Sequence, residues 1–139
     1  MNILGLDPGR DKCGVAVMNS HQEMLYHQIV DSERAIAILQ QLADQYDVKL
    51  VVIGDGTTSK QWQEQIASCL PSMSIATVNE TNSTLEARDR YWLMYPPQGW
   101  RKMIPTGLRV PPRPVDDLVA ILLIERYLSN EQLRSHPTL

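Results

Sequence analysis

Cysteine and histidine are scarce in this 139-residue chain, with two of the first and three of the second. Cys13 and Cys69 stand far apart without the spacing of a metal-ligand pair, so they read as reduced core thiols rather than a disulfide or zinc site. His21, His27 and His136 form no cluster in sequence. Structural zinc and Cys/His nucleophile chemistry are thereby disfavoured. No apolar run approaches the ~18 residues of a membrane span, and nothing resembles a signal peptide, so a cytoplasmic protein with no membrane partner is expected. No internal repeat is visible either, which argues against folds built by duplication.

What is present is the composition of one globular domain: 43% hydrophobic and 21% charged residues, with a net charge of −3. The charge is unevenly spread. Between Arg88 and Arg113, six cations (Arg88, Arg90, Arg101, Lys102, Arg109 and Arg113) stand against Asp89 alone. A basic segment on an otherwise acidic chain points to a local positive surface for phosphates, against the plainer reading of a solvated loop.

The hydrophobic pattern orders the elements. "ILGLDPGRDKCGVAV" contains two apolar strands around a charged turn, with Asp7 at the tip of the first strand; Asp7-Pro8-Gly9 by itself is ordinary turn chemistry. Glu23 to Val30 reads as a third strand, and Asp31 or Ser32 as the N-cap of a helix through Ile36, Leu39 and Leu42. "KLVVIG" is a short apolar strand of the buried parallel type, followed by a turn and a helix from Ser59 to Leu70. "SIATVN" is a last strand. Ser83 and Glu86 have capping-box spacing and open a helix that ends before Pro96. The proline-rich stretch from Pro96 to Pro114 is longer than most connections, which marks it for function. "VDDLVAILLIERYL" is apolar nearly all round and is expected to pack across the sheet. The expected domain is residues 1–130, with 131–139 a frayed tail.

Three acidic points occupy comparable places: Asp7 ends the first strand, Glu80 the last, and Asp116-Asp117 opens the final helix. Carboxylates that converge repel unless they share a cation, and a donor set of oxygens alone suits Mg²⁺ or Mn²⁺. Such an ion orients water and stabilises a leaving phosphate oxygen. Helical periodicity turns both Asp116 and Asp117 inward and does not choose between them. Asp55, before Gly56, reads as a turn residue. Trp62, Tyr91, Trp92 and Trp100 are candidates for base stacking or for the core, and Trp100 stands beside Arg101 and Lys102.

Four blocks in family order, "GLDPGRDKCGVAV", "VVIGDGTTSK", "NETNSTLEA" and "VDDLVAILLIERYL", resemble the YqgF and RuvC families of Holliday-junction-resolvase-like nucleases. The resemblance implies a ribonuclease H-like α/β fold: a five-stranded mixed sheet, three antiparallel hairpin-linked strands then two parallel ones, with helices on both faces. It implies catalytic roles for Asp7, Glu80, Asp116 and Asp117, with Asp7, Glu80 and Asp116 on the metal. The family's spacing to a tyrosine, here Tyr127, selects Asp116 over Asp117 as ligand and leaves Asp117 as a helix-start or outer acid. Metal-dependent phosphodiester hydrolysis of branched DNA or of structured RNA such as precursor ribosomal RNA follows, by a monomer or homodimer. Arg10, Lys12, Arg88, Trp100, Arg101, Lys102, Arg109 and Arg113 are the expected nucleic-acid contacts. Two departures stand out: the family's Asp-Glu-Arg is Asn79-Glu80-Thr81 here, and an acid, Asp11, splits Arg10 from Lys12. "GDGTTS" also resembles the turn of the ribonuclease H-like domain in Tex-type transcription factors, which keeps open a non-catalytic nucleic-acid-binding module. Actin-like sugar kinases share an acid-and-glycine loop between opening strands, but need a duplicated domain that this chain lacks.

Overall fold

The computed structural model describes residues 1–105 and 108–135. Continuous apolar burial along the three central strands, whose successive side chains face opposite sides, builds a sheet with two apolar faces. The strands are β1 (Asn2–Asp7), β2 (Lys12–Asn19), β3 (Met24–Asp31), β4 (Leu50–Gly54) and β5 (Ser74–Val78), in the order β3-β2-β1-β4-β5. β1, β2 and β3 pair antiparallel, whereas β4 is parallel to β1 and β5 to β4. This is the mixed ribonuclease H-like sheet expected from the sequence.

Helices α1 (Ala35–Tyr46) and α2 (Ser59–Cys69) flank one face, and α3 (Ser83–Met94) and α4 (Asp116–Ser135) the other. Leu4, Leu6, Val15 and Val17 point to the first pair; Ile3, Ala16, Met18 and Val52 point to the second. The period of two thus puts Asp7, in phase with Ile3 and Gly5, on the α4 face. Every residue from Leu118 to Ile124 is buried, because α4 lies between the sheet and α3. At about 1.5–3 kcal/mol per large aliphatic side chain, that burial is ample to hold the acidic start of α4 against other carboxylates.

Local expectations needed correction at the helix ends. Ser32 begins a short 3-10 turn rather than capping α1, and its hydroxyl donates instead to the Gly9 carbonyl at 2.8 Å, bracing the β1–β2 turn. The Ser83/Glu86 capping box does not form: Ser83 is already helical, Asn82 is the cap residue with φ of 62°, and Glu86 pairs with Arg126. Cys69 is exposed at the end of α2, while Cys13 is in the core. α4 continues to Ser135, into the segment read as a tail; residues 136–139 lie outside the described residues. Among the described residues no helix is long and apolar enough to cross a membrane.

Candidate active site

Asp7 ends the central strand, and both of its lateral neighbours on the sheet are glycines. Gly14 of β2 is its register partner, and Gly54 of β4 is the next position after the Leu6–Ile53 pair. Each missing side chain makes room for a different part of the site. A Cβ on Gly14 would overlap the Asp116 carbonyl, so the start of α4 lies directly on β2 beside Asp7. A Cβ on Gly54 or Gly56 would overlap the Glu80 carboxylate, which therefore occupies the space above the end of β4. Further along, Gly5 lets the Ala120 carbonyl approach β1. Glycine spacing in β1, β2 and β4 is thus what brings Asp7, Glu80 and Asp116 to one end of the sheet. Gly14→Ala is accordingly expected to cost at least the upper end of the ~1–3 kcal/mol typical of overpacking, since the obstacle is backbone. Chemical denaturation compared with Ala16→Gly, which removes only a methyl group, checks it.

The carboxylates sense one another. Burial pushes the Asp7 pKa up from 3.8 to about 7, with further contributions from the charges of Asp116 and Glu80. Glu80 is raised by burial and by Asp55, and Asp116 by burial and by Asp117. Such a set gains from a shared cation, and its hard oxygens fit Mg²⁺ or Mn²⁺. Among the described residues, no three acidic, histidine or cysteine side chains already stand as a metal-holding cluster, so the three acids converge without being drawn together into a ligand cage.

Asp117 has a different environment. It is 3% exposed, with Arg113 Nη1 donating to it at 3.0 Å and His27 Nδ1 at 2.7 Å. Burial alone would raise its pKa, but hydrogen bonds from Arg113 and His27 hold it below the usual carboxylate range. Its charge is committed to these partners, unlike that of Asp116. In the sequence His27 is one of three scattered histidines and carries no assigned role. The signal available was its phase on β3: it pairs with Ala16 and so faces α4.

The expected nucleic-acid contacts divide. Arg113 turns inward to Asp117 and lies over the rings of Tyr91 and Tyr95, at 5.4 and 5.8 Å. Arg109 donates to the carbonyl of Arg101 at 3.0 Å and lies over Trp92, so it shapes the loop. Lys12 pairs with Asp31. Arg10, Arg88 and Lys102 are exposed, and Arg101 lies over the ring of Trp100, itself 68% exposed. Tyr91 and Trp92 are core residues and Trp62 packs on the opposite face.

Residues 1–87 match the model of the Tex protein YqgF-like domain, a span from β1 into α3 that includes Asp7 and Glu80. The chain belongs to this family. The matched span stops before α4, so Asp116 and Asp117 lie beyond it. No curated protein matches the YqgF-like chain. Among solved structures, Thermus thermophilus RuvC is 14% identical with a TM-score of 0.61, over 99% of this chain and 98% of that one. The same organism's RuvC in complex with Holliday junction substrate is 15% identical with a TM-score of 0.55, over 97% and 96%. Fowlpox virus resolvase with substrate Holliday junction DNA is 12% identical with a TM-score of 0.62, over 94% and 99%. At these identities the likeness is one of fold, and it extends over α4 and the preceding loop.

Proposed function

We propose that this YqgF-like domain is a divalent-metal-dependent endonuclease acting on structured nucleic acid, either branched DNA or a folded RNA precursor. The observation that carries the reading is the convergence of Asp7, Glu80 and Asp116 at one end of the sheet, with Asp7 raised to about 7 by burial and by the other two acids. Asp7, Glu80 and Asp116 would hold the ion. Bound Mg²⁺ or Mn²⁺ supplies an oriented water and charge stabilisation for the leaving oxygen of a phosphodiester. The protein's own part is to gather three carboxylates at one end of the sheet, two of them seated against glycines, with their mutual repulsion left for the ion to offset. RuvC and fowlpox virus resolvase, bound to Holliday junction substrates, share the fold, which supports branched DNA as the first substrate to try. Purified protein given four-way junctions and structured RNA with Mn²⁺ should cut at least one of them, and EDTA should stop it. Tight binding without any cleavage would favour a non-catalytic binding module, a reading to which the lack of a ready-made ligand cage among the described residues lends support.

The outward cations Arg88, Arg101 and Lys102 supply the phosphate contacts in this reading. Affinity should fall with salt at a slope of roughly −0.9 per duplex phosphate neutralised. Replacing Arg101 and Lys102 by Ala is expected to flatten that slope by about one to two units for any sequence, as backbone contacts require. An unchanged slope in a salt titration by fluorescence anisotropy would assign the loop to solvent.

A further inference from the structure

Glu80 stands on a connection with no regular structure of its own: β5 ends at Val78 and α3 begins at Ser83. Two side chains from elsewhere hold it. Arg126 of α4 donates from Nη1 to the Asn79 carbonyl at 2.6 Å and from Nη2 to the Thr81 carbonyl at 2.9 Å, gripping the residues on either side of Glu80. Its charge is balanced by Glu86, 3.1 Å from Nη2. From the β4 side, Asp55 Oδ1 accepts the Glu80 N–H at 3.3 Å, and the Asp55 N–H bonds the Val78 carbonyl at 3.1 Å. These contacts seize backbone only. The Glu80 carboxylate stays over Gly54 and Gly56, toward Asp7.

We propose that Arg126 is a positioning residue of the active site, setting the Glu80 loop so that its carboxylate stands opposite Asp7. The inference rests on the reading of Glu80 as a metal ligand and adds how that ligand is aimed. α4 then carries one ligand directly, Asp116, and controls a second through Arg126, ten residues and about 15 Å further along the helix. Docking of this one helix therefore assembles both outer acids around Asp7. Arginine suits the task because its planar fork reaches two carbonyls at once, whereas a lysine ammonium is a point charge on a flexible stem. The pairing with Glu86 also matters, because it draws the guanidinium toward α3 and leaves the Glu80 carboxylate for another cation.

Mn²⁺ binding to the full chain, read by electron paramagnetic resonance, tests this in a double-mutant cycle of Arg126→Ala with Glu80→Gln. Arg126→Ala alone should weaken Mn²⁺ about tenfold, the usual size of a supporting-partner effect, and Arg126→Lys should fall between it and the parent. In the Glu80→Gln background, Arg126→Ala should add less than about twofold, because the residue acts only through Glu80. Hydrogen exchange of residues 79–82 in the metal-free protein should quicken in Arg126→Ala and change little in Glu80→Gln. An equal loss of Mn²⁺ affinity in both backgrounds would overturn the proposal in favour of a general packing role. So would unchanged affinity with unchanged exchange. A parent protein that binds Mn²⁺ no better than Glu80→Gln identifies a different failure, that of Glu80 as a ligand, before Arg126 is altered, and removes the catalytic purpose of the grip even where exchange quickens.

Discussion

Asp7→Asn is expected to reduce metal-dependent cleavage to background while raising the stability of the metal-free protein. Asp7 sits where burial and two nearby acids oppose its charge, holding its pKa near 7 instead of 3.8. An acid raised in the folded state takes up a proton on folding at pH values between the two pKa values. Stability therefore falls as pH climbs from about 4 through about 7, and the whole penalty is present at pH 8. A shift from 3.8 to about 7 has a ceiling of about 4 kcal/mol at 1.4 kcal/mol per unit, so removing the charge should return about 2–4 kcal/mol. For a domain of this size that is roughly 6–15 °C in Tm. Melting in EDTA at pH 5 and pH 8 separates the terms: the parent should lose stability between them, and the Asn protein should lose much less. Metal binding requires the ionised acid, so the parent's Mn²⁺ affinity should rise with pH until about 7 and then level. A well-folded Asp7→Asn protein that still cuts would remove Asp7 from the site.

The neighbouring acids Asp116 and Asp117 should respond in opposite ways to the same change. Asp116 is half-buried, raised by burial and by Asp117, and contributes to the shift of Asp7. Asp116→Asn is expected to abolish cleavage with stability kept or improved. Asp117 is the counterion of Arg113 and the partner of His27, and its pKa is held down by them. Its contribution to stability is present above the ordinary carboxylate pKa and disappears as pH falls through the depressed value. Asp117→Asn leaves the Arg113 guanidinium among Tyr91 and Tyr95 without its carboxylate. Breaking a fully buried pair costs about 3–5 kcal/mol. The partial exposure of Arg113 and His27 reduces the expectation to about 2 kcal/mol at pH 7, shrinking as pH falls through the depressed Asp117 pKa. Cleavage by Asp117→Asn should remain measurable at temperatures where it is folded. Matched single-turnover and denaturation experiments check both arms, and the reverse ranking would exchange the two roles.

Helical periodicity treats Asp116 and Asp117 as equivalent acids at a helix start, leaving the choice of Asp116 to the family spacing, and charge counting groups Arg113 with the other cations of the basic segment. The sheet distinguishes them. Gly14 admits the Asp116 backbone next to Asp7, and one residue later the helix turns Asp117 toward β3, where His27 faces inward. Arg113 reaches Asp117 from the bend that precedes α4, four residues earlier in the chain, and lies over the rings of Tyr91 and Tyr95 at the end of α3. The result is a neutralised assembly beside an uncompensated one.

The sequence by itself determined the main elements, their order and the candidate acids at their ends. The apolar runs of β1 and β2, the short apolar β4 and the all-apolar centre of α4 are local patterns that burial enforces. Asp7, Glu80 and the Asp116-Asp117 pair were legible for the same reason, as acids at the ends of such elements, while the choice of Asp116 within the pair came from the family resemblance. Tertiary structure alone decided which charges are available. Arg109 and Arg113, expected on a nucleic-acid surface, are engaged within the protein by the Arg101 carbonyl and by Asp117. Asp55, read as a turn residue, and Arg126, read as facing solvent, make contacts around Glu80 that span 25 to 47 residues of chain. Composition and periodicity report what a residue prefers to be near; only the folded chain specifies which partner reaches it, because hydrogen bonds and ion pairs act over a few ångströms while sequence separation leaves distance undetermined.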